Sequence, residues 1–258
     1  MSQFMLIDED DNTYLLPEGV VMPDDIKIKA DNKTIERSFR DGAVFPGLMR
    51  LKSKSLSLDL PHWDTTDSGF RDTINEILSW CVKAVKLRDV TRNIETDVLF
   101  EQASIKWDKG AYLRSSDNSL QFSQLIPYWE DVNYTIDYVS GTPVTTSGSL
   151  TITNDGHAEM PLLITFSNPS GLVPSIILQV TENNQGMTIE DPSFGNNGLD
   201  VLIMDSKNCE VTLNGVKRNQ YINVNTGFIT IPLVEGTLVY SITGNVGFSV
   251  QYKARYFI

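Results

Sequence analysis

Asp8-Glu9-Asp10-Asp11-Asn12 opens as a calcium loop opens, with oxygen-bearing side chains at the first, third and fifth positions. Such a loop needs Gly at its sixth position for the sharp turn and a bidentate Glu at its twelfth. Thr13 and Gly19 stand there instead, so the run reads as a solvated acidic arm. Glu130-Asp131 and Glu190-Asp191 sit near strand ends and supply the carboxylates of a glycosidase. Neighbours on a strand point to opposite faces, so neither pair is a catalytic couple by itself. Trp63, Trp107, Tyr128 and Trp129 could stack on sugar rings, but such residues more often pack cores and interfaces.

Nucleophilic and metal chemistry find still less. Cys81 and Cys209 are the only cysteines, His62 and His157 the only histidines, and no metal-ligand spacing joins them. The chain has no G-x-S-x-G, P-loop, G-x-G-x-x-G after a strand, or H-E-x-x-H. No catalytic, cofactor-binding or metal-binding residue is therefore assigned, no cofactor is expected, and the chain is read as non-enzymatic. The cysteines are expected to be buried free thiols, since they fall in different predicted domains.

The elements that would have to position any site are mostly strands. The 258 residues, 41% hydrophobic, can bury a sizeable core. No run of about 18 apolar residues is present, so no membrane insertion is expected. The opening Met1–Asp11 turns acidic at once and lacks the pattern of a secretory signal. A net charge of −12 repels a phosphate backbone, which argues against tight nucleic-acid binding.

Charge is distributed unevenly. Residues 1–140 hold 16 basic and 24 acidic residues, residues 141–258 only 5 and 9. Ser140 to Gly148 has linker chemistry, so two domains, 1–140 and 141–258, are expected to join there. In the first, Ile26, Ile28 and Ala30 alternate as a strand. Residues 49–60 form a longer one whose apolar face switches near residue 54. Residues 67–85 carry a helical stripe of Phe70, Ile74, Ile77, Leu78, Cys81, Val82 and Val85, with Asp67 or Ser68 as cap. The second domain is a series of short strands between Asn- and Gly-rich turns, the pattern of an antiparallel sandwich. Two of these strands are expected at Thr237–Thr243 and Gly247–Phe257.

The order of these features resembles the distal tail protein family of siphophages over nearly the whole chain. The resemblance rests on Phe39-Arg40-Asp41-Gly42 through Leu60 and on a helix ending in Ile77-Leu78-Ser79-Trp80. Ile152-Thr153-Asn154-Asp155-Gly156-His157, Gly198-Leu199-Asp200-Val201-Leu202 and Gly247-Phe248-Ser249-Val250-Gln251-Tyr252 carry it in the second domain. It implies a mainly β protein, with an N-terminal β domain bearing one packed helix and a C-terminal galectin-like, jelly-roll sandwich. It also implies a structural virion subunit at the phage tail tip, assembled in the host cytoplasm. There a homo-hexameric ring would join the tail tube protein to the tip or baseplate hub protein. The outer domain would be offered to tip proteins such as a receptor-binding protein. The alternative is a carbohydrate-binding or depolymerising tail component. Residues 149–258 contain no Trp, and no galectin-type set of polar sugar ligands maps onto them.

Overall fold

A computed structural model of the chain describes residues 3–22, 30–31, 35–36, 43–44, 50–51, 54–61, 67–105, 118–139, 144–224 and 228–257. The expected mainly β fold is found, with a single α-helix among the described residues. Among the described residues no helix is long and apolar enough to cross a membrane. Contacts divide the chain into two compact units, residues 1–129 and residues 130–257.

In the first unit, six strands pair antiparallel in the order Thr13–Leu15, Phe4–Asp8, Ala84–Asp89, Ile94–Ser104, Ser119–Gln124, Lys54–Asp59. Strand Lys54–Asp59 buries Leu56 and Leu58 and leaves Ser55 and Ser57 more accessible, the alternation of a sheet with one covered face. Arg50–Leu51 pairs with Ala30–Asp31, so the two described pieces of the 49–60 segment have different partners. Residues 52–53, beside the switch expected near residue 54, lie outside the described residues, as do residues 26–29 of the strand expected from Ile26 to Ala30.

The helix runs from Asp67 to Cys81 and buries Ile74, Ile77 and Cys81. It is shorter than its apolar stripe. Val82 is 75% exposed, and Val85 belongs to the strand Ala84–Asp89. There Ile7 faces Lys86 while Asp8 faces Ala84, which leaves Val85 as the extra residue of a β-bulge. A bulge residue can fall in helical phase by accident, and Val85 does.

The second unit is a two-layer sandwich threaded by one strand. Val234–Tyr252 is continuous over 19 residues, where the sequence predicts two strands separated by a turn. Its first half pairs with Val144–Asn154 and Ser175–Val180, and that layer continues through Gln185–Ile189 to Ile222–Val224. Its second half pairs with Thr135–Val139 and Met160–Ser167, and the other layer continues through Val201–Asp205, Glu210–Leu213 and Val216–Lys217. The change of layer is made at a bulge. Thr145 faces Asn245 while Thr146 faces Ile242, which leaves Thr243 and Gly244 unmatched by Val144–Asn154, although Thr243 still pairs with Ser175. Gly244 has φ +117°, and a Cβ there would stand 2.8 Å from the Leu172 carbonyl oxygen.

The two halves then face each other across the core. Tyr240 from the first half meets Phe248 from the second edge to face, ring centroids 4.7 Å apart, and Phe248 stacks on Phe166. Alternate residues Leu162, Ile164 and Phe166 and their counterparts Leu238, Tyr240 and Ile242 fill the interior. Turn chemistry matches the sequence where it is strongest. Asn214 and Gly215 both have positive φ and join Leu213 to its cross-strand partner Val216, as a tight hairpin demands.

Candidate interaction surfaces

The residues singled out for chemistry are tied up in structure. Asp8-Glu9-Asp10-Asp11-Asn12 forms the turn between the first two strands rather than an arm. Asp8 accepts hydrogen bonds from the backbone N–H groups of Asp10 and Asn12 (3.0 and 2.8 Å) and from Asn12 Nδ2 (3.0 Å). The Asn12 side chain, foremost among these partners, holds the Asp8 carboxyl below its ordinary pKa. Asp11 adopts φ +59°, a conformation Asp tolerates in turns.

Glu130 is buried, and both of its oxygens face cations: Lys207 Nζ at 2.6 Å and Arg255 Nε at 2.9 Å. Burial opposes its ionisation, but Lys207 and Arg255 together outweigh burial and hold the carboxyl below its ordinary value. Asp131 accepts from Ala254 N–H at 3.3 Å, and burial pushes its carboxyl the other way, upward. A hydrolytic pair must flank open space, whereas Glu130 clamps the Lys207 turn to the strand bearing Arg255. Of the second pair, Glu190 is exposed. Asp191, 2% exposed, closes its own turn through Ser193 N–H (2.9 Å) and faces Arg218 Nε at 3.5 Å.

Trp129 is fully buried in the core of the first unit, and Trp80 stacks on Tyr14 with ring centroids 5.5 Å apart. Trp63, Trp107, His62 and the basic side chains of Arg50, Lys52 and Lys54 lie outside the described residues. His157 donates its backbone N–H to Arg255 O and meets the Tyr256 ring edge to face. One carboxylate that sequence reasoning passed over organises a whole loop. Asp200 accepts from Asn214 Nδ2 (3.0 Å), Asn197 N–H (3.1 Å) and Gly195 N–H (3.0 Å), and these bonds lower its pKa, the Asn214 side chain most. The nearest signal was the run Asn196-Asn197-Gly198 just before it, which marks a loop in need of an anchor.

Both thiols are free, as expected, but Cys209 is exposed rather than buried. It occupies a turn position with φ +53° ahead of strand Glu210–Leu213. Burial pushes the Cys81 thiol up to about 12, so it carries almost no thiolate near neutrality. Folded protein should therefore take up one equivalent of maleimide quickly, at Cys209, and a second only on unfolding. Mass spectrometry of the labelled protein reads this directly. Two fast equivalents would mean that the helix packs loosely over Cys81.

One surface differs from the rest. On the outer face of the layer containing the first half of the long strand, Ser149, Val239, Gln179 and Gly186 form one cross-strand row. Ser147, Ser241, Ile177 and Thr188 form the next. Neither row contains a charged residue. Thr151 and Thr237 extend the face to its first charges: Glu182, whose carboxylate accepts from Thr237 N–H at 2.7 Å, and Glu235, opposite Thr153. Ile177 and Val239 lie 47% and 40% exposed within the face. Beside them lies a shallow cleft of roughly 150 Å³, lined by Gly186, Gln179, Asn184 and Thr188. Gln179 Nε2 donates to Asn184 Oδ1 at 3.1 Å and braces that lining.

Residues 151–256 match the sequence family described as the siphovirus-type tail component, C-terminal domain. No curated protein sequence matches the chain. Among solved structures, the chain is similar over 98% of both chains to SPP1 Dit (gp 19.1), described as a paradigm of the hub adsorption apparatus in Gram-positive infecting phages. The identity is 16% and the TM-score 0.64. It is also similar, again over 98% of both chains, to a chain of the phage P2 baseplate in its activated conformation with Ca, at 7% identity and a TM-score of 0.50. At such identities the likeness is one of fold.

Proposed function

From a chain whose C-terminal unit belongs to the siphovirus-type tail component family, and whose fold is that of a siphophage distal tail protein, we propose a ring-forming hub at the tail tip. The observation that carries this reading is the agreement of fold along 98% of both chains, which spans both units and not the matched domain alone. In this reading residues 1–140 build a hexameric ring between tail tube and baseplate, and residues 141–258 face outward, where tip proteins attach. The protein works in the virion as a structural part and catalyses nothing.

Physical arguments support the reading. A head-to-tail interface that closes on itself uses two different patches of each subunit, and a terminal sheet strand such as Lys54–Asp59, bridged on its far side among the described residues only at Asp59 to Val21, suits it. The net charge of −12 per chain, repeated around an axis, repels DNA and lets a genome slide through without sticking. Light scattering on purified protein, with negative-stain images of the same sample, tests the ring. The expected result is six times the 28.9 kDa chain mass and annular particles. A single-chain mass at every concentration, together with no density for the protein around the axis of intact tails, would overturn it.

A further inference from the structure

We propose that Asn197 is a site of spontaneous succinimide formation, converted to aspartate and isoaspartate in the folded protein, while Asn214 is spared. The inference is independent of ring formation. Asn197-Gly198 and Asn214-Gly215 are the only Asn-Gly pairs in the chain, and all four residues are exposed. In such a pair the glycine nitrogen can attack the side-chain amide carbon, because glycine has no side chain to obstruct the approach. The new C–N bond closes a cyclic imide. The side-chain nitrogen takes up the peptide proton and leaves as ammonia, and water then adds to either imide carbonyl. Opening at one carbonyl leaves aspartate. Opening at the other leaves isoaspartate, in which the main chain runs through the former side chain.

The two sites differ in what holds the amide. Asn214 is held at both ends by another loop. Its Oδ1 accepts from Val201 N–H at 2.9 Å, and its Nδ2 donates to Asp200 Oδ1 at 3.0 Å. Its backbone is pinned as well, in the hairpin turn that joins Leu213 to Val216 with positive φ at both central residues. Turning its Cγ toward Gly215 breaks both side-chain bonds, one of them to a carboxylate. Asn197 has one side-chain bond among the described residues, and it is local. Its Oδ1 accepts from Leu199 N–H at 3.1 Å, which folds the amide back over the Gly198 peptide whose nitrogen must attack. A donor on that oxygen also stabilises the negative charge that develops there as the ring closes. The Asn197 Nδ2, which departs, has no partner among the described residues. A Cβ at Gly198 would meet only the Pro169 carbonyl oxygen, at 3.6 Å, so the approach is open. Either product sets a second carboxylate in the turn that Asp200 closes through Asn197 N–H and Gly195 N–H. Isoaspartate also lengthens the backbone by one carbon, so the loop loosens.

Ageing the full chain for several weeks in warm, mildly alkaline buffer tests this. The protein is then digested and mapped by mass spectrometry, with aspartate and isoaspartate peptides separated. Conversion at Asn197 is expected to run at least about tenfold faster than at Asn214, the ratio that the extra charge-assisted bond implies. In concentrated guanidinium chloride both pairs lose these bonds and should convert at similar rates. That comparison needs no variant. Gly198→Ala, where the added carbon has open space, should slow conversion in the folded chain by about tenfold or more. Thermal unfolding confirms that this variant is folded. Equal rates at the two sites in the folded chain would overturn the proposal, as would faster conversion at Asn214. So would an Asn197 that stays intact in the folded chain while it converts in denaturant, or a folded Gly198→Ala that converts as fast as the parent.

Discussion

Gly195→Ala should lower the unfolding midpoint of the C-terminal unit by more than about 10 °C. Gly195 has φ +93°, where an L side chain is strained, and that alone costs about 1–2 kcal/mol. The larger part is steric. A Cβ would stand 2.2 Å from the Gly171 carbonyl oxygen and 3.0 Å from Leu172 Cα, both backbone atoms. Neither loop is free to yield. The Gly195 N–H is held by Asp200, and the neighbouring Phe194 carbonyl accepts from Val173 N–H at 3.1 Å. Gly215→Ala serves as the control, because φ is +79° there but nothing lies within 4 Å of the added carbon. That variant bears the strain alone and should shift the midpoint by only a few degrees, or about 1 kcal/mol. Calorimetry on both variants checks the argument. Equal shifts would mean that the two loops separate easily, and that Asp200 anchors less than its three bonds suggest.

At pH 7, Glu130→Gln should cost about 2 kcal/mol, less than the figure for a fully buried pair because Lys207 is a third exposed. Two cations lose their counterion, while the amide keeps the shape and part of the hydrogen bonding. The pH dependence distinguishes this from a packing defect. The Glu130 carboxyl is held below its value in the unfolded chain, so its stabilisation is complete above about pH 4.3 and vanishes as the pH falls through the folded value. Denaturant unfolding should therefore show a gap between wild type and variant near neutrality that closes in acid. Asp131 has the opposite sign, since its raised carboxyl favours the protonated fold, but it is common to both proteins and cancels in the comparison. A gap that persists unchanged at pH 3 would assign the loss to packing.

Sequence alone made the class of fold and the absence of a recognisable active-site motif legible, because both rest on patterns local to a few residues. The alternation in Ser175–Val180 and the Asn214-Gly215 turn needed no partner to be read. Long-range pairing was not legible. Thr243-Gly244-Asn245 has the composition of a turn, but the chain there crosses between layers, because Thr135–Val139 and Met160–Ser167 take over as partners. The end of the helix was misread for the same reason. Val85 keeps helical phase, and only its register opposite Ile7 and Asp8 makes it a bulge residue. The uncharged face is a cross-strand property. Ser149, Val239, Gln179 and Gly186 are far apart in sequence and meet only through register.

The strand that threads both layers also sets the timetable of synthesis. Thr135 waits for Tyr252 and Val144 for Val246, so each layer lacks its central member until more than a hundred further residues have been made. At ordinary elongation rates that interval is on the order of 10 s, long compared with the microseconds in which a hairpin forms. During it, Met160–Ser167 and Ser175–Val180 exist as alternating apolar strands with one edge unsatisfied, the species most prone to pair with a neighbouring nascent chain. Ribosomes crowded on one message hold such strands close together. The yield of this protein in the cell should thus be governed less by the stability of the finished sandwich than by what shields two unfinished edges while the last strand is being translated.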